Sequence, residues 1–211
     1  MITALIVTHA AFGGIALLSA TLAVIFKKGG KQHKGWGRVF FYTMLLCSIS
    51  AMITACLPDH ESPFLFSVGI FSFYFLFTGW RALKYKEADV NLKWDKALAF
   101  FMLVFAPVMM VAPIFMFGVI NIVQAVFGGA LLVFAIQDLR LFRNPEKLKK
   151  NWLVQHLSRM LGAYISAITA FIVVNQLVPG IVGWLLPGVI GSILITYWNV
   201  RLGRKNKKEV V

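Results

Sequence analysis

An all-helical bundle that spans a membrane is the fold class this sequence predicts, and three observations predict it. The 211 residues are 59% hydrophobic, with a mean hydropathy of +0.79, well beyond that of a soluble domain. The apolar residues fall into seven runs, near 3–26, 38–57, 64–83, 97–117, 119–141, 152–176 and 182–202. Each run can cross a hydrocarbon layer of roughly 30 Å at about 1.5 Å per residue. All 21 Lys and Arg cluster where the first, third, fifth and seventh runs end or the next begin.

That distribution sets an orientation. The alternate connections hold only Asp59 and Glu61 among charged residues. Cytoplasmic loops carry the Lys/Arg excess, so the amino terminus is expected outside and the tail inside. A net charge of +13 would suggest nucleic acid in a soluble protein. Confined to membrane-flanking turns, it points instead to a bilayer with anionic lipids at the inner face, and no nucleic-acid partner is expected. The short connections leave a single transmembrane domain over 1–211. Run one has no charged leader and no small-residue cleavage site, so it reads as retained. Cys47 and Cys56 are about two and a half turns apart on run two, too far for a disulfide, and read as packing residues.

The first run also recurs. H9-A-A-F-G-G-I-A-L returns 115 positions later as Q124-A-V-F-G-G-A-L-L, with five identities. A basic turn and a histidine follow each copy: H33-K-G-W-G-R-V-F and H156-L-S-R-M-L-G-A-Y. This predicts two related halves, about 1–84 and 118–203 (helices 1–3 and 5–7), with a joining helix near 96–117. Halves running in the same direction are related by an axis along the membrane normal. His33 and His156 then form an inner pair, and His9 and Gln124 an outer one. Asp138 corresponds to Ala23, so it has no acidic counterpart.

Taken in order, run one carries His9, Gly13, Ala16 and Ala20 on one stripe. Small residues at that spacing let helices approach closely in lipid, and His9 there reads as a hydrogen-bonded interface residue. In the following turn Gly29 and Gly30 reverse the chain, and Trp36 marks the inner interface. The turn lacks the G-x-x-x-x-G-K-[ST] spacing and a preceding strand, which argues against a phosphate loop. Tyr42, Ser48, Ser50 and Thr54 of run two can hydrogen-bond within the bundle. Asp59, His60 and Glu61 read as a solvated outer turn. Trp80 and Arg81 mark the inner end of run three. Pro107 and Pro113 should bend run four or free a carbonyl. Asn121, Gln124, Gly128 and Asp138 share a face of run five; His156, Arg159, Gly162, Ser166 and Thr169 share a side of run six. Run seven has Pro187, Gly188 and Gly191 at mid-membrane, then Trp198.

Ionisable groups at membrane depth usually face a bundle interior or a watery cavity. A polar site on the inner side is therefore expected from His33, Asp138, His156 and Arg159. On the structural reading, Asp138 pairs with Arg159 and the histidines cap helix starts. On the cofactor reading, His33 and His156 ligate a haem iron, with Gly35, Gly37 and Gly162 leaving room for the porphyrin. A divalent metal would take His33, Asp138 and His156, although no E-x-x-H or H-x-x-x-H spacing is present. On the transport reading, Asn121, Gln124, Asp138 and Arg159 line the pathway of a small transporter or channel. An assembly or scaffolding protein would need no site.

The patterns H9-x-x-x-G, H33-x-x-x-G-R-V-F and H156-x-x-R-M resemble a group of bacterial multi-pass membrane proteins of unknown function. The resemblance covers most of the chain. It implies a bacterial cytoplasmic-membrane protein in which recurring histidines suit a bound haem or metal. It implies no reaction, so neither enzymatic activity nor a catalytic residue is assigned, and the oligomeric state stays open.

Overall fold

The computed structural model describes residues 2–87 and 89–208. Seven α-helices follow one another: α1 (Ile2–Ile25), α2 (Lys31–Thr54), α3 (Pro63–Arg81), α4 (Lys93–Phe117), α5 (Ile122–Leu141), α6 (Pro145–Val174) and α7 (Gly180–Lys208). A single 3-10 turn, Ala82–Lys84, extends α3. All seven helices are long and apolar enough to cross a membrane.

Short polar residues set the starts. Ser62, Asn121 and Asn144 each accept the backbone N–H three residues on, at 3.2, 3.0 and 2.9 Å, and so cap α3, α5 and α6. Pro63 and Pro145 follow two of these caps, where the missing N–H is harmless. At the far end of α4, Gly118 takes the left-handed conformation (φ +68°) and stops the helix. Asn121, expected on a polar pathway face, is spent on capping.

Three helices start four or more residues ahead of the apolar runs: α2 at 31 instead of 38, α4 at 93 instead of 97, and α6 at 145 instead of 152. Hydropathy marks where hydrocarbon begins, whereas helical hydrogen bonding continues through the headgroup layer, where Lys, Gln and Asn are tolerated. The basic turn thus shrinks to Lys27–Gly30, closed by Gly29 at φ +76°. His33, expected just ahead of the helix, sits inside the first turn of α2.

Helices α1, α2, α3 and α6 form a four-cornered bundle. α1 packs along α2, α2 on α3, and α3 on α6. A bond of 2.7 Å between the hydroxyls of Thr21 and Tyr164 helps close the ring from α6 back to α1. Among the described residues, α2 and α6 stand at opposite corners with no close backbone approach. The α4–α5 hairpin lies outside this ring and α7 lies mainly against α6. The core is built from small and aromatic residues, including Ala16, Ala20, Phe40, Met44, Tyr74, Phe75, Leu131 and Ala163. Large apolar side chains such as Val7, Leu18, Phe100, Phe115 and Ile193 point outward, as a lipid-facing surface requires.

The two Phe-Gly-Gly segments use their glycines alike but meet different neighbours. A Cβ on Gly13 would touch Cys47 Sγ of α2 at 3.5 Å, and one on Gly128 would run into Met110 and the Ala106 carbonyl of α4. Gly14 and Gly129 both face open space. Thus α1 packs chiefly on the helix that follows it, and α5 on the helix that precedes it.

Candidate functional site at the basic end of the bundle

The seam between α3 and α6 positions the polar groups. The hydroxyls of Ser72 and Ser166 bond across it. One turn further along, the Phe75 ring occupies the space beside Gly162, where a Cβ would come within 2.5 Å. At the next turn a Cβ on Gly79 would meet Met160 Sδ at 2.9 Å and Arg159 Cβ at 3.0 Å. The helices touch here because these residues are glycine. Gly162 therefore packs against Phe75 and leaves no free space, contrary to expectation, whereas Gly35 and Gly37 have open space beside them.

This close approach brings His156 Nδ1 to 2.8 Å from the Gly79 carbonyl, in the last turn of α3. His33 Nδ1 lies 2.8 Å from the Ala23 carbonyl, in the last turn of α1. Carbonyls in a last turn run out of helical N–H partners, so each imidazole satisfies an acceptor the helix cannot. A carbonyl only accepts, so the proton of each neutral ring sits on Nδ1 and the Nε2 lone pair is left free. Both rings are half-buried.

Asp138 meets Arg159, as the structural reading expects. Arg159 donates to Oδ1 at 2.6 Å and Tyr74 donates its hydroxyl to Oδ2 at 2.5 Å, so both carboxylate oxygens are used. All three residues are at most 3% exposed. The guanidinium lies over the Phe134 ring, 4.3 Å from its centroid, with Tyr74 and Phe75 further off. Its NH1 is the one buried side-chain nitrogen or oxygen without a hydrogen-bond partner among the described residues. A buried pair of this kind ties α5 to α3 and α6, and losing either member would strand a charge.

A second cluster of the same composition escaped the sequence reading. Asp95, 1% exposed in the first turn of α4, accepts from Arg81 Nε at 3.0 Å and from its NH2 at 2.5 Å. The Tyr85 hydroxyl donates to the same carboxylate at 2.7 Å, and Arg81 also reaches the Asn91 carbonyl. Burial, reinforced by the charge and hydrogen bond of Asp95, pushes the Tyr85 phenol well above its ordinary value; the Asp138 charge adds to this. The group clasps the α3–α4 connection against the bundle. The signal for it was an acid two residues before the hydrophobic stretch, hidden among Lys93, Lys96 and Asp89.

The other expected site residues are held elsewhere. His9 Nδ1 contacts the Cys47 carbonyl at 3.1 Å and Ser50 Oγ at 3.0 Å, both on α2. Gln124, expected as its counterpart in the second half, donates to the Met109 carbonyl of α4. The ligand trio of His33, Asp138 and His156 does not assemble: Asp138 is consumed by Arg159 and Tyr74. Among the described residues, no three His, Cys, Asp or Glu converge as a metal site. Cys47 and Cys56 are free thiols. No family model, curated protein or solved structure matches this chain.

Proposed function

We propose that the chain is a bacterial cytoplasmic-membrane protein, amino terminus outside, that holds a haem at its basic, cytoplasmic end through His33 and His156. One observation carries this reading. Both rings donate Nδ1–H to a helix-end carbonyl and keep Nε2 free, the arrangement that orients an imidazole ligand and raises its basicity. The donor set also discriminates. Two imidazoles would suit haem iron, which already has the porphyrin nitrogens as donors, better than zinc, which takes three or four protein ligands. When bound, the haem supplies one-electron chemistry. The chain's own residues hold the two rings from opposite corners of the bundle, through the Ala23 and Gly79 carbonyls, while Gly35 and Gly37 leave space beside α2. Asp138, Arg159 and Tyr74 serve as a brace.

The orientation draws support from the one-sided distribution of all 21 basic residues. An internal repeat draws support from the sequence match of the two Phe-Gly-Gly segments and the histidine that follows each basic turn, and the different packing of α1 on α2 and α5 on α4 counts against it. The decisive experiment is an absorption spectrum, oxidised and dithionite-reduced, of protein purified in mild detergent from haem-replete cells, together with iron analysis. A low-spin haem spectrum is expected, lost in His33→Ala and in His156→Ala and kept in His60→Ala. Wild-type protein that carries no haem and takes up no added haemin would refute the reading.

A further inference from the structure

Five of the six tryptophans, Trp36, Trp80, Trp94, Trp152 and Trp198, lie at the basic end of the bundle, and Trp184 lies at the other. Three of the five carry a cation over the ring: Lys84 over Trp80 at 5.5 Å, Lys86 over Trp152 at 5.6 Å and Arg201 over Trp198 at 5.4 Å. The first two meet at one corner, where the turn after α3 crosses the start of α6. Trp80 is itself stacked on Phe41 of α2, with ring centroids 5.1 Å apart, so the floor of this corner is fixed from three helices.

The Asp95 clasp decides which charges are available. Arg81 and Tyr85 turn inward onto Asp95, while Lys84 and Lys86 between and beyond them are exposed. The salt bridges among the described residues are Arg81–Asp95 and Arg159–Asp138, so neither lysine is neutralised by an acid. Glu87 and Asp89 follow on the same connection and are exposed. They offset part of the positive charge of this connection.

We propose that this corner binds the headgroup of an anionic phospholipid, with its phosphate between Lys84 and Lys86 and its glycerol backbone against Trp80 and Trp152. The chemistry fits at each point. Indole rings settle at headgroup depth, and an ammonium group parked on a ring has already lost the freedom that a loose lysine gives up on binding. The proposal is independent of the haem reading, because it uses neither histidine.

The test titrates detergent-purified full-length protein with phosphatidylglycerol and, separately, phosphatidylcholine, counting bound lipid by native mass spectrometry. Phosphatidylglycerol should bind preferentially. At about 1 kcal/mol per surface cation, or about fivefold in affinity, Lys84→Gln with Lys86→Gln should weaken it by roughly 25-fold. Lys93→Gln with Lys96→Gln, in the first turn of α4 and with no ring partner, should leave that affinity within about twofold, since exposed charges outside a local site are screened. Equal binding of the two lipids would overturn the proposal. So would equal losses from both lysine pairs, which would mean a diffuse field. Competition by inorganic phosphate as effective as by the lipid would also overturn it, by showing a free-anion site.

Discussion

The side-chain amide of Gln124 donates to the Met109 carbonyl at 2.9 Å, and Met109 is the residue whose carbonyl Pro113 leaves without a helical partner. Proline has no N–H, so the acceptor four residues before it is orphaned. In hydrocarbon no water can take the place of that bond. A glutamine on the next helix fills the gap, buried at 4% exposure. Gly128, one turn further along α5, keeps the two helices close by leaving room for Met110 and the Ala106 carbonyl.

This relationship predicts a coupling. Gln124→Leu should destabilise the protein by about 0.5–2 kcal/mol, the range for interhelical hydrogen bonds in membranes. In a Pro113→Ala background, where the N–H of residue 113 returns, the same substitution should cost much less. Unfolding of the four proteins in mixed micelles would measure it as a double-mutant cycle. Equal losses in both backgrounds would show that Gln124 does not answer the proline.

The Asp138 brace predicts a different pattern. Asp138→Asn and Arg159→Gln should each cost about 3–5 kcal/mol, because each leaves a buried charge unpaired. Tyr74→Phe removes a hydrogen bond to a charged acceptor and should cost about 1.5–3 kcal/mol. Replacing both members of the pair at once, Asp138→Leu with Arg159→Met, should cost less than the two single changes summed. Strict additivity would mean that the two groups do not depend on each other.

Much of this was legible in the chain. The seven helices could be read from apolar length, and the acid at 138 demanded a partner. What the sequence hid has physical reasons. Tyr74 sits in F-S-F-Y-F-L-F, where any aromatic looks like packing, so nothing in the pattern separates a hydroxyl that meets a carboxylate from one that meets lipid. Asp95 looked like one more charge in a charged connection, because burial depends on which way the first turn of α4 faces. The carbonyl partners of His33 and His156 could not be read at all, since backbone acceptors carry no residue identity. Gly79 and Gly162 read equally well as turn or room-making residues; the α3–α6 crossing shows that they set a contact distance.

The one-sided basic charge predicts topology. A reporter fused after Val211 should be active only in the cytoplasm, and one inserted at Ser62 only outside. Activity on the opposite side at either position would invert the orientation and move His33 and His156 to the outer surface.

The last prediction concerns the imidazoles themselves and holds whether or not a cofactor binds. His9, His33 and His156 each present Nδ1 to a backbone carbonyl, at 3.1, 2.8 and 2.8 Å, whereas His60 lies exposed in the outer turn. Nitrogen-15 spectra of histidine-labelled protein at alkaline pH should therefore show three rings with the proton fixed on Nδ1. His60 should give the averaged signal of a solvated ring that samples both tautomers. Gly79→Ala sharpens the test. Its new Cβ would press on Met160 and Arg159 at about 3 Å, forcing α6 away from α3 and stretching the His156 bond, while His33 and His9, held by α1 and α2, stay as they were. A shift in the His156 nitrogens alone is the expected result. If all three rings move together, or if His156 already averages its tautomers in the wild-type protein, the carbonyl of Gly79 does not set its proton and Nε2 is not held free as a ligand.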